Sequence, residues 1–85
     1  MSWNHRVVVE GKGTEEEWWS IREVFYNSNG NICGMTEGGV DPVGSTLDDL
    51  RQEALHMVNA FYKDIIVLDD DFVFAPWDFD VTRGE

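Results

Sequence analysis

The stretch WWSIREVFYNSNGNICGMTE, residues 18–37, decides the fold. Over its first nine residues Trp19, Ile21, Glu23 and Phe25 fall on one side of an extended chain, and Trp18, Ser20, Arg22, Val24 and Tyr26 on the other. Side chains alternate across a strand, so aromatic and β-branched groups on both sides predict a central strand covered in part on each face. Asn29-Gly30 then supplies the positive φ that a tight hairpin turn demands. The chain returns through NICGMTE as a third strand, with Ile32, Gly34 and Thr36 opposite Cys33 and Met35. An antiparallel hairpin is expected.

Upstream, SWNHRVVVEG reads as a first strand and GKGTEEE as a charged, glycine-bearing turn. Downstream, GGVDPVG is a loop, and STLDDLRQEALHMVNAFYKD, residues 45–64, is a helix. Ser45 or Thr46 can cap it, with Asp48 or Asp49 at the spacing of a capping box and favoured at the positive end of the helix dipole. Leu47, Leu50, Ala54, Met57, Val58 and Phe61 recur at intervals of three and four, and this stripe is expected to lie across the sheet. KDIIVL predicts a fourth strand, which DFVFAPWDFD either continues or follows as a separate edge segment. The expected fold is α+β: a mostly antiparallel sheet in the order β-β-β-α-β, with one amphipathic helix on one face. Residues 1–85 form a single small domain, with an acidic and aromatic C-terminal segment over residues 69–85.

Seventeen acidic residues against six basic ones give a formal net charge of −11. Nucleic-acid binding rests on counterion release by Lys and Arg, so direct binding of nucleic acid is disfavoured, as is an anionic membrane. Basic protein partners are attracted. The lone cysteine, Cys33, rules out an internal disulfide and suits a small buried position. No signal peptide and no membrane-spanning run is read, which points to a cytoplasmic protein.

SWNHRVV, IREVFYNSNGNICGMTE and VDPVGSTLDDLRQEALHMV together resemble a family of small uncharacterised bacterial proteins. Its members read Trp-Asn-Tyr-Arg-Val near the start, Ile-His-Glu-Val-Tyr-Tyr before an Asp/Asn-Gly turn, and Gly-x-Thr-Leu-Glu-Glu-Leu where the helix begins. The resemblance covers about residues 2–58 and implies a fold more than an activity. GSTLDDLRQEA is also similar to the helix start of the HicB-like antitoxin domain, in which three strands precede the helix and a fourth follows. That similarity implies a protein that covers a small basic RNA-cleaving toxin. The separate DNA-binding segment often found in those antitoxins has no counterpart in this acidic sequence.

Asp69, Asp70, Asp71, Asp78 and Asp80 invite a metal reading, since hard cations take several converging oxygens. Consecutive aspartates in a strand point to alternate faces, and the spacing does not fit an EF-hand loop. His5 and His56 are the only histidines, and neither stands beside a nucleophile in a recognisable motif. No catalytic, metal or cofactor set is therefore assigned. The expected function is a non-enzymatic acidic binding or inhibitor module that docks on a basic protein surface, its carboxylates imitating a phosphate backbone. Partner-binding candidates are Glu15, Glu16 and Glu17 in the first turn; Asp48, Asp49 and Glu53 on the helix; and Asp69, Asp70, Asp71, Trp77, Asp78 and Asp80 towards the end. The alternatives are an antitoxin-like cover for a small basic toxin and a metal-dependent hydrolytic enzyme using the late aspartates. Trp3, Trp18, Trp19 and Trp77 cannot all lie under one helix, which leaves a homodimer as a further arrangement.

Overall fold

The computed structural model describes residues 2–77; the expectations for Asp78 and Asp80 concern positions outside that range. Strands β1 (Ser2–Glu10), β2 (Trp18–Tyr26) and β3 (Ile32–Met35) precede helix α1 (Leu47–Val58), a 3-10 turn (Asn59–Tyr62) and strand β4 (Ile66–Leu68). The sheet order is β3-β2-β1-β4. The fold is the expected α+β arrangement, with a mixed, curled sheet. β1 pairs antiparallel with β2 from Ser2 opposite Tyr26 to Glu10 opposite Trp18, whereas β4 joins β1 in parallel. That direction follows from the connection: α1 lies between the two strands, which favours a parallel crossover over a hairpin return.

The β2–β3 turn is built as the sequence predicts. Gly30 has φ +82°, and Asn27 Oδ1 accepts the backbone N–H groups of Asn29 and Asn31, each at 3.0 Å. A bulge at Phe25–Tyr26 precedes the turn. Asn27 Nδ2 donates to the Pro76 carbonyl at 3.1 Å, and the Ala75 N–H donates to the Ile32 carbonyl at 2.8 Å. The chain after β4 thus straps back along β3 as a separate segment, not a continuation of the strand.

One sheet face holds a core cluster, where Val8, Val24 and Ile66 are buried and Tyr26, Ile32, Met35, Leu68 and Phe72 pack against them, while Val7 and Val9 are buried on the other face. Phe72 reaches this core from the returning segment and meets Phe74 edge-on. Aromatics beside carboxylates in that segment are thereby explained: the ring goes inward while Asp69, Asp70 and Asp71 stay exposed. Cys33 is buried, as its size suits.

The opposite face carries His5 and Val7 from β1 and Trp19 and Ile21 from β2, and it meets the helical segment in a way the sequence did not foretell. Met57 and Ala60 are the only buried residues of α1 and the 3-10 turn, and it is the 3-10 turn that packs on β1. Of the expected apolar stripe only Met57 is buried and Ala54 half-buried, and the rest does not lie across the sheet. Leu47 is 71% exposed, Leu50 36%, Val58 43% and Phe61 65%. Its azimuth is fixed from the C-terminal end, where His56 meets the rings of Trp3 and His5. At about 100° per residue, anchoring through His56, Met57 and Ala60 turns the stripe on the order of 100° away from the sheet.

Candidate binding surface

Two acidic turns share one end of the sheet because β1 and β4 run in parallel. Glu10 stands opposite Leu68, so both strands deliver their following turns to the same side. Gly11–Thr14 and Val67–Asp70 line a shallow groove between them. The first turn depends on Gly11 and Gly13, with φ of +64° and +84°, conformations that glycine adopts without a Cβ penalty. Thr14 Oγ1 donates to the Gly11 carbonyl at 2.6 Å.

Glu17 holds this turn closed. Its carboxylate accepts from the Gly13 N–H at 2.9 Å and from Trp19 Nε1 at 2.6 Å. The Gly13 N–H above all, then Trp19 and the charge of Lys12, hold its carboxyl below the usual glutamate range. In the second turn Asp69 plays a similar part, with Oδ1 accepting the Asp71 N–H at 2.9 Å and its carbonyl the Phe72 N–H at 3.1 Å. Glu15, Glu16, Asp70 and Asp71 are exposed on the frame that these two residues maintain.

The remaining candidates lie elsewhere. Thr46 Oγ1 accepts the Asp49 N–H at 3.0 Å and caps α1, and Ser45 Oγ donates to Asp49 Oδ2 at 2.9 Å. Asp48 pairs with Arg51 at 3.1 Å. Glu53 is half-buried and borders, with Gly44, Asp49 and His56, an open groove beside the helix. Trp77 lies against Phe25 and over Gly34, where an added Cβ would stand 2.9 Å from its Cζ2. The candidate set thus divides among the turn end of the sheet, the helix, and the β3 side.

The structure also brings together two residues that the sequence kept apart. The rings of His5 and His56 are 5.2 Å apart in an edge contact, and Trp3 meets both. His5 is 2% exposed, and neither ring nitrogen has a hydrogen-bond partner. Alternation along β1 shows which side His5 faces but not that His56 would arrive there. Among the described residues no three His, Cys, Asp or Glu side chains gather as a metal site, and no helix is long and apolar enough to cross a membrane.

A curled mixed sheet anchored to the end of a mostly exposed helix, with acidic turns at one sheet end, defines the molecule. Comparison with protein-family models, curated proteins and solved structures finds no match.

Proposed function

We propose that the protein is a non-enzymatic acidic binding module that docks on a basic protein surface. The observation that supports this is the pair of braced turns at one end of the sheet, which present Glu15, Glu16, Asp70 and Asp71 to solvent. Arg22–Glu10 and Arg51–Asp48 are the only ion pairs among the described residues, and neither involves these four. Fixed carboxylates on a rigid frame steer an oppositely charged surface and select its register more than they add raw affinity. In that role they stand where phosphates would stand in a nucleic-acid groove. An antitoxin covering a small basic toxin is one particular form of this reading.

The geometry dictates the choice of variants. Glu17 and Asp69 brace their turns and are left intact, while Glu15→Gln, Glu16→Gln, Asp70→Asn and Asp71→Asn are combined. In affinity capture from the native host, the unaltered protein is expected to retain basic proteins in low salt and release them as salt rises. The fourfold variant is expected to lose them while its melting temperature holds or rises, since crowded like charges are removed. An identical captured set from both proteins overturns the reading.

A further inference from the structure

The acidic turns leave the exposed stripe of α1 and the 3-10 turn unexplained, since a basic surface is not complementary to leucine, valine and phenylalanine. We propose that this stripe pairs with the same stripe of a second copy of the chain, with the two helices antiparallel about a twofold axis passing near Ala54.

The spacing itself supports a second copy as the occupant. Leu47 and Phe61 stand seven residues either side of Ala54, and Leu50 and Val58 stand four either side. A twofold axis at Ala54 therefore sets Leu47 of each copy opposite Phe61 of the other, and Leu50 opposite Val58. Self-complementarity of this kind is what an isologous interface requires. The smallest side chain of the stripe lies at the crossing point, where the helices approach most closely. Phe61 also borders a small apolar cleft with Val7, Trp19 and Ile21, so Leu47 of the second copy arrives at its mouth.

Helix polarity and area agree with this occupant. The antiparallel arrangement opposes the two helix dipoles. The stripe together with Trp19 exposes on the order of 500 Å² of apolar surface per copy. A standard interface takes about 800 Å² from each partner, of which a homodimer makes about 65% apolar. The surface left bare therefore matches the apolar share of a stable dimer.

Light scattering and sedimentation equilibrium over a wide concentration range test the proposal. The expected result is a dimer whose dissociation constant falls as salt rises, because each copy carries a formal charge of −11. That response is opposite in sign to release of a basic partner, so the two readings fail separately. Ala54→Glu places two like charges at the axis and is expected to abolish the dimer with an unchanged far-UV circular dichroism spectrum. Ala54→Cys is expected to give a covalent dimer under mild oxidation, and it decides the matter should the glutamate variant lose its fold. A chain that stays monomeric at high concentration in high salt overturns the proposal, whether the stripe is then covered by residues 78–85 or by another protein. So does a folded Ala54→Glu variant that remains dimeric, or an Ala54→Cys variant that gives no cross-linked species.

Discussion

Both nitrogens of the His5 ring are shut away from water and from any hydrogen-bonding group, so this residue destabilises the fold through its polarity while helping it through its shape. His5→Phe keeps the edge contacts with Trp3 and His56 and removes the unsatisfied nitrogens. Its urea midpoint is expected to rise, by about 1 kcal/mol of stability. A loss of about 2 kcal/mol or more, beyond what the larger ring costs by overpacking, overturns that account. Glu17 carries the opposite lesson, since its charged form is the stabilised one. Its folded pKa is depressed, so its contribution is fully present above the unfolded value and vanishes as pH falls through the folded one. Glu17→Gln is therefore expected to lower the melting temperature at neutral pH, with the difference from the unaltered protein closing in acid. Nothing in TEEEWW marks the third glutamate as the turn's brace. That role depends on where the Gly13 N–H and the Trp19 ring arrive after the turn closes.

At the scale of elements, the hairpin was legible because its causes are local: alternation along β2 and a glycine where the turn needs positive φ. The start of α1 was legible for the same reason, and Thr46 does cap it. The azimuth of the helix was not, because the spacing of apolar residues defines a stripe without saying what it faces. His56, whose ring meets Trp3 and His5 of distant β1, makes that choice together with the buried Met57 and Ala60. The parallel pairing of β4 and the strap at Ala75 are likewise long-range. Between elements, Arg22 forms a buried node: it pairs with Glu10 and donates to the Thr36 carbonyl at 3.2 Å. Its side chain is 5% exposed, against 44% for Glu10. Glu10→Ala strands that charge and is expected to cost about 1–3 kcal/mol, below the full cost of breaking a buried pair because water still reaches the site of the carboxylate. Adding Arg22→Met is expected to recover much of the loss in urea denaturation, giving a clear coupling energy in the double-mutant cycle.

Over the whole molecule, the charge excess that the proposed function uses for recognition also acts against the fold. Like charges crowd both sheet-end turns and the first turn of α1, so added salt is expected to raise the melting temperature even of the Ala54→Glu variant. The sign of the net charge was readable from composition. Which carboxylates share a surface was not, because that depends on β1 and β4 ending side by side. Sequence reading grouped twelve candidates, and topology separates the ten that lie among the described residues.

The β1–β4 ladder joins residues about 58 positions apart. During synthesis, at roughly 5–20 residues per second, the valine-rich edge Val7–Val8–Val9 waits several seconds for its parallel neighbour to leave the ribosome. Until Ile66 emerges, that edge is a bare template for any passing extended chain. A nascent polypeptide stopped short of β4 should therefore be the form most in need of a chaperone.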